Sequence, residues 1–213
     1  MLPFASVEVR NISISKVPYM EITETLYVTN RREWRSWLEK NHRSAKEIWL
    51  IYYNKKSGKP RIPYNDAVEE ALCYGWIDST IKKYDEERAA QRFSPRRKNS
   101  KLSELNRERI RRLVEAKKMT PAGLERIAHH IGNATLSGND NLSFGEFVMP
   151  EDILKELKRD KSVWENFQQF PEHYKRIRIG WIDGVRDRPK EFEKRLRYFI
   201  RMTAKNKTFG MVR

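Results

Sequence analysis

The chain has very little cysteine and no long apolar run, and both absences narrow its setting. Cys73 is the only cysteine among 213 residues, which excludes an internal disulfide framework and fits a reducing compartment. No stretch approaches the roughly 18 apolar residues of a membrane span. The first residues also lack the basic start and apolar core of a signal peptide. We therefore expect a cytoplasmic protein with no transmembrane segment.

Familiar catalytic patterns are missing as well. The sequence contains no glycine-rich phosphate loop, no G-x-S-x-G and no H-E-x-x-H. No histidine lies near Cys73, so we predict a buried structural thiol rather than a nucleophile. His129 and His130 are adjacent but lack further ligands at a metal-site spacing. We predict no metal and no cofactor and favour a binding protein, while an enzyme with Asp78 as acid or base stays open.

Positive charge and aromatic residues are abundant. The chain has 44 Lys and Arg against 29 Asp and Glu, a net charge of +15, and also six Trp, nine Tyr and nine Phe. Residues 82–126 hold fifteen basic and seven acidic residues, and residues 172–213 hold thirteen and five. This excess favours an anionic small molecule, an acidic protein surface or a nucleic acid as partner. The alternative is a basic surface that only faces solvent, and composition does not indicate the oligomeric state.

The apolar patterning predicts an α+β fold, with a small sheet and flanking helices followed by an all-helical C-terminal module. The apolar run over residues 48–53 is typical of a buried central strand. A second strand is predicted from Trp76 to Lys83, with a return over residues 89–93. Weaker patterns predict short strands within residues 7–16 and at Tyr27 and Val28.

Capping residues place the predicted helices. Thr29 or Asn30 would start a helix over about residues 31–40, and Asn65 or Asp66 would start one that Gly75 ends. Further helices are predicted from Ser103, Thr120, Pro150, Pro171 and Pro189, and from a capping box at Ser162 and Glu165. The predicted organisation is an N-terminal extension (1–23), an α+β domain (24–130), a linker (131–149), a helical module (150–206) and a tail (207–213).

The stretch over residues 63–97 carries most of the distinctive chemistry. Asp78 lies at an otherwise apolar strand entry, where an unpaired carboxylate is costly to bury. We expect it to contact Arg92, Arg96 or a serine hydroxyl. Such a contact is either an ion pair that fixes the hairpin or a site in which Asp78 orients an arginine toward a ligand carboxylate or phosphate.

A helix that begins at Ser103 would offer free backbone N–H groups to an anion, beside the arginines of the preceding loop. The alternative is a solvated basic loop whose serines only cap the helix. Trp76 and Phe93 could stack on a base or sugar, but they fit the core more simply. The predicted ligand-binding residues are Trp76, Asp78, Gln91, Arg92, Arg96, Arg97, Ser100, Ser103 and Asn106.

Several ordered motifs occur together. They are the Trp34, Trp37 and Leu38 helix, EEALCYGWID (69–78), QRFSPRR (91–97), the spaced Ser100, Ser103 and Asn106, and MTPAG (119–123). Together they resemble the bacterial YdeI or OmpD-associated family, whose name also includes bacteriocin protection. The resemblance covers about residues 24–206 and implies an α+β part followed by a helical part. It suggests a stress or envelope-protection role and implies no particular reaction. Ser79 and Leu102 depart from the family pattern, which has Gly and Trp there.

Overall fold

A four-stranded mixed sheet forms the centre of the N-terminal half. The structure is a computed structural model that describes residues 21–98, 100–131, 144 and 146–210. The strands are β1 (Thr25–Leu26), β2 (Ile48–Tyr53), β3 (Trp76–Lys83) and β4 (Arg88–Pro95), in the spatial order β1-β2-β4-β3. β1 pairs with β2 in parallel, and the other two pairs are antiparallel. The α+β prediction is confirmed, with β2 as an interior strand.

Helices pack on one face of this sheet and form the larger core. They are α1 (Arg31–Asn41), α2 (Tyr64–Cys73), α3 (Glu104–Glu115) and α4 (Pro121–Ile127). Alternate β2 residues point toward them, because successive strand side chains face opposite sides. The core unites fully buried side chains of the sheet and of all four helices: Trp34, Leu38, Ile48, Leu50, Leu72, Trp76, Phe93, Ile110 and Ile127.

Charged residues tie α1 to α2. Arg31 and Arg35 reach the Glu70 carboxylate with N–O distances of 3.2 and 2.9 Å. The Glu70 side chain is only 4% exposed, so two arginines compensate its buried charge. Arg31 also binds Asp66 at 2.8 Å. This cluster fixes the orientation of α2, whose first turn borders the site described below.

Two glycines set the end of α2 and its contact with α4. Gly75 has a φ of +74°, which fits the predicted glycine stop. A Cβ atom on Gly123 would lie 2.2 Å from the Cys73 carbonyl oxygen, so only glycine permits this approach. The Thr120 hydroxyl donates to the same oxygen at 2.7 Å and also caps α4 as predicted.

The C-terminal part is helical and has a core of its own. Its helices are α5 (Glu151–Lys158), α6 (Lys161–Gln169), α7 (Glu172–Asp183) and α8 (Pro189–Ala204). Their buried side chains include Ile153, Leu157, Phe167, Ile179 and Phe199. α7 also packs against α3, with Gly180 against the side chain of Glu104. None of the described helices is long and apolar enough to cross a membrane.

Three local predictions are corrected. The short strand is Thr25–Leu26 and not residues 27–28. α2 begins after Pro63 without a side-chain cap, because Asn65 and Asp66 bind arginines of other helices. α6 is capped by Asp160, and Ser162 donates its backbone N–H to that carboxylate, so the predicted capping box is wrong.

Other predictions fall on residues that the structure does not describe. The proposed strand within residues 7–16 lies outside the described residues, as do most of the proposed linker (131–149) and the end of the tail. The proposed domain boundaries therefore stay predictions.

One irregularity in β3 positions the site. Asp78 pairs with Phe93 and Ile81 pairs with Gln91, so β3 has one residue more than β4 between these pairs. Such a β-bulge changes the alternation of side chains along a strand. Because residues opposite each other in an antiparallel pair share a face, Asp78 and Ile81 both point to the helix side of the sheet.

Candidate ligand-binding cleft

A cleft of about 900 Å³ opens between the β3–β4 hairpin and the first turn of α2. Its volume falls within the range of small-molecule sites. Side chains from β2, α2, β3 and β4 contribute to its wall. Those that matter for its chemistry are Tyr52, Arg61, Tyr64, Asp78, Ile81 and Gln91.

Asp78 and Tyr64 form the polar side of the cleft. The Tyr64 hydroxyl donates a hydrogen bond of 2.7 Å to Asp78 Oδ2. Burial, and then the hydrogen bond to the Asp78 carboxylate, raise the pKa of Tyr64 well above its usual value. Tyr64 therefore remains a neutral donor at physiological pH and holds Asp78 in one orientation.

Tyr52 contributes a buried hydroxyl at the end of β2. Its side chain packs in the core and the residue is only 7% exposed. The hydroxyl oxygen is buried and has no hydrogen-bond partner within the described part of the protein. Burial, with a smaller contribution from Tyr64 and Asp78, raises the pKa of Tyr52. Tyr52 thus brings to the cleft wall a neutral, buried hydroxyl that forms no hydrogen bond with the described residues, which is uncommon for a buried polar group.

Gln91 and Arg61 complete the wall. Gln91 is buried, and its Nε2 donates to the Ser79 carbonyl oxygen at 3.1 Å. The Arg61 Nη1 donates to the Tyr53 carbonyl oxygen at 3.0 Å. The Arg61 guanidinium carbon lies 5.9 Å from the centre of the Tyr52 ring. Both polar side chains are held by backbone carbonyl groups rather than by other side chains.

Arg109, which the sequence did not single out, lies behind the cleft. It is 4% exposed and donates to Asn106 Oδ1 at 2.9 Å and to Asn65 Oδ1 at 2.7 Å. Both partners are neutral, and burial lowers the pKa of Arg109, with Tyr64 and Asp78 among the opposing influences. This buried cation therefore offsets the negative charge of Asp78.

The expected partners of Asp78 are corrected. Arg92 is paired with Trp49 on the opposite face of the sheet, where it binds Glu47 with an N–O distance of 2.5 Å. Arg96 is buried and donates to the Ser100 and Lys101 carbonyl oxygens at 3.2 and 3.1 Å. Asp78 makes no ion pair among the described residues, and its hydrogen bond comes from a tyrosine.

The remaining predicted site residues lie away from the cleft. Trp76 is in the core and donates Nε1–H to the His42 carbonyl oxygen at 3.1 Å. Ser103 caps α3 by accepting from the Asn106 N–H at 3.3 Å. The Ser100 hydroxyl donates to the Arg97 carbonyl oxygen at 2.9 Å. Of the nine predicted residues, the structure brings Asp78 and Gln91 together in the cleft.

The loop after β4 is basic and partly exposed. Arg97 and Lys98 are exposed, and neither makes an ion pair within the described ranges. His130 Nε2 contacts the Ser100 carbonyl oxygen at 2.9 Å. Burial lowers the pKa of His130, and neighbouring His129, Arg96 and Arg107 lower it further. This loop is a separate cationic surface, distinct from the cleft.

Cys73 is fully buried in the core, as predicted. Burial, together with nearby Glu70, raises the pKa of its thiol to about 11. Such a thiol is a poor nucleophile at neutral pH. In the described parts of the chain no group of three or more His, Cys, Asp or Glu residues could hold a metal ion.

Two family models match the chain, one over the N-terminal core and one over the C-terminal core. Residues 146–206 match the family described as "Bacteriocin-protection, YdeI or OmpD-Associated". This segment is therefore similar to the YdeI/OmpD-associated family. It contains α5 to α8, and α7 packs against α3. The predicted family resemblance is confirmed over residues 146–206, whereas residues 26–126 match a different family.

The part of the chain before residue 146 matches a different family. Residues 26–126 match a domain of unknown function, DUF8412, which includes every residue of the cleft. The motifs within residues 34–123, on which the predicted resemblance is based, lie in this segment and outside the residues that match the YdeI/OmpD-associated family. No curated protein and no solved structure matches the chain.

Proposed function

We propose that this protein binds a small polar ligand in the cleft beside the β3–β4 hairpin. The observation that carries the proposal is the hydroxyl of Tyr52, a cleft-lining residue: this hydroxyl is buried and has no hydrogen-bond partner among the described residues. Burying a hydroxyl without a hydrogen bond costs free energy, so a ligand that bonds to it recovers part of that cost. Asp78 lies nearby and is held in place by Tyr64, so the polar groups are oriented before a ligand arrives.

Binding fits the cleft better than catalysis does. The raised pKa values of Tyr52 and Tyr64 keep both hydroxyls protonated, so neither is prepared to abstract a proton. The thiol of Cys73 is buried in the core and not in the cleft wall. We therefore favour a binding protein over an enzyme that uses Asp78 as acid or base.

The names of the matched family suggest where such binding would be used. They refer to bacteriocin protection and to association with OmpD. We propose that the protein contributes to protection of the cell envelope under stress, with the cleft sensing or retaining a ligand and the helical domain contacting a partner. The cytoplasm remains our expected location.

Chemical-shift mapping tests the binding site directly. Isotope-labelled protein would be titrated with a panel of sugars, amino acids, polyamines, carboxylates and phosphate at millimolar concentration. We expect at least one member to shift the amide signals of Tyr64, Asp78 and Ile81, and the Tyr52→Phe variant to weaken that binding. Tyr84→Phe is the matched control, because Tyr84 is an exposed tyrosine on the same hairpin but outside the cleft wall. Shifts only outside the cleft would contradict the proposal.

A second candidate function is anion binding, including nucleic acid, by the basic loop after β4. The observation that favours it is the pair Arg97 and Lys98, which are exposed and without ion pairs in the part of the chain that the structure describes. Lys101, also exposed, follows them. Exposed cations of this kind attract phosphates without sequence specificity. The predicted role of Ser103 and Asn106 is less favoured, because their side chains serve α3.

Fluorescence anisotropy with short DNA and RNA across a salt series tests this candidate. Arg97→Ala/Lys101→Ala should weaken binding and reduce its salt dependence. Arg96 is left intact, because its guanidinium holds the loop through two carbonyl groups. Lys55→Ala/Lys56→Ala removes the same charge from another exposed turn and serves as control. Equal loss of binding in both variants, or no binding at low salt, would exclude a specific role for the loop.

A further inference from the structure

We propose that the ligand of the cleft is a neutral polyhydroxylated molecule of the size of a mono- or disaccharide. This inference rests on the proposed binding function and narrows it to one ligand class. The charge balance of the cleft, its free acceptor atoms and its exposed apolar surface each contribute to the choice.

The charges around the cleft largely cancel. Arg88 binds Asp85 with an N–O distance of 2.5 Å, and Lys83 binds Glu86. Glu87 lies 3.7 Å from Lys59. Because each of these charges has an opposite charge beside it and water screens what remains, the electrostatic potential in the cleft is small. The cleft therefore does not strongly attract a charged ligand of either sign.

Asp78 is also compensated. Arg109 lies behind it as a buried cation with neutral hydrogen-bond partners, and Arg61 lies across the cleft beside Tyr52. Lys82 extends toward the other face of the sheet, with its ammonium 5.9 Å from the Trp49 ring centre. A polyamine would meet Arg61 in the cleft wall, and a phosphate would meet Asp78. A neutral ligand avoids both conflicts.

The available polar atoms are suited to hydroxyl groups. Asp78 uses Oδ2 for Tyr64, which leaves Oδ1 as an acceptor. Gln91 uses Nε2 for the Ser79 carbonyl group, which leaves Oε1 as an acceptor. The Tyr52 hydroxyl can both donate and accept. A hydroxyl likewise donates and accepts, so adjacent ligand hydroxyls can satisfy all three groups.

Apolar surface lies beside these polar atoms. Tyr64 is 36% exposed and Ile81 is 60% exposed, and both line the cleft. The bulge in β3 directs Ile81 to the same face as Asp78. Sugars have apolar C–H faces as well as hydroxyl edges, so they can use an aromatic ring and a polar wall together.

Isothermal titration calorimetry with glucose, N-acetylglucosamine, myo-inositol and a disaccharide tests the ligand class. Phosphate and spermidine are the charged comparison probes. We expect binding of at least one polyol with little salt dependence, because no net charge is involved. Tyr52→Phe should weaken it about 3- to 10-fold, the effect of one lost hydrogen bond, and Asp78→Asn about 10-fold. Tyr84→Phe should bind as the wild type does.

The outcomes separate this inference from the proposed function. If phosphate or spermidine binds in a Tyr52-dependent way and no polyol does, the ligand class is wrong and the binding cleft stands. If polyols bind but Tyr52→Phe and Asp78→Asn leave the affinity unchanged, they bind elsewhere and the inference fails. If no member of the wider panel perturbs the cleft, both proposals fail.

Discussion

Replacing Tyr52 with phenylalanine removes one buried hydroxyl and keeps the ring that packs in the core. The residue is only 7% exposed, and its hydroxyl has no partner within the described ranges. An unsatisfied buried polar group costs about 1–3 kcal/mol. We expect the lower end of this range, about 1 kcal/mol, because the Tyr52 side chain borders a cleft rather than the centre of the core. Tyr52→Phe should therefore raise the free energy of unfolding, although most core substitutions lower it.

Urea denaturation followed by tryptophan fluorescence measures this change, with Tyr84→Phe as the control. In thermal unfolding of a chain of this size, a gain of about 1 kcal/mol in stability corresponds to a rise in Tm of roughly 2–4 °C. Tyr84→Phe should stay within about 0.5 kcal/mol of the wild type, as surface substitutions usually do. A loss of stability in Tyr52→Phe would show that the hydroxyl makes a favourable bond in the folded protein. The argument for an unused binding group would then fail.

Three further substitutions and one reactivity measurement have expected outcomes. Glu70→Ala should lower the free energy of unfolding by about 1–3 kcal/mol in urea denaturation, because it leaves two partly exposed arginines without their shared carboxylate. Gly123→Ala should lower the Tm, since its Cβ would overlap the Cys73 carbonyl oxygen; an unchanged Tm would mean that α4 moves freely. Cys73 should react with Ellman's reagent at pH 8 about 100-fold more slowly in the folded than in the unfolded protein, and equal rates would contradict its burial. The hydrogen bond from Arg186 lowers the pKa of Asp152, so the stability that this ion pair contributes is present above the ordinary pKa of aspartate and is lost as the pH falls through the lowered pKa. Asp152→Asn should therefore make the protein's stability less sensitive to acid, as measured by circular dichroism across a pH series. An unchanged acid profile would show that the Arg186–Asp152 pair does not contribute to stability.

Local signals in the sequence were reliable where a residue acts on its own neighbours. Asn30 accepts from the Glu33 N–H and starts α1, and Ser103 does the same for α3. The apolar run of β2 becomes an interior strand because such a run is buried on both sides. Gly75 ends α2 because its positive φ needs no side chain. The two caps and the glycine stop depend on contacts within a few residues, and the burial of β2 is indicated by the composition of the run itself.

The site could not be predicted in the same way, because its contacts join distant residues. Asn65 looks like a helix cap, but its side chain accepts from Arg109, which is 44 residues away. Arg92 and Phe93 are adjacent, yet the pleat sends them to opposite faces, and Asp78 is paired with Phe93. Tyr52 is the last residue but one of an apolar run, and such a run indicates only burial. That its hydroxyl lacks a partner among the described residues follows only from the tertiary packing of the surrounding helices and hairpin.

The bulge in β3 has a consequence for how the protein behaves among other copies of itself. In the sheet formed by the described residues β3 is an edge strand, and an edge with regular alternation favours pairing with another chain. The extra residue between Asp78 and Ile81 interrupts the ladder, and Lys82 and Lys83 follow it. Bulges and lysines are devices that discourage edge-to-edge aggregation. Deleting Thr80 would restore a regular edge and leave Ile81 opposite Gln91 on the cleft side, so this strand would become more prone to pair with other copies and to assemble into larger sheets.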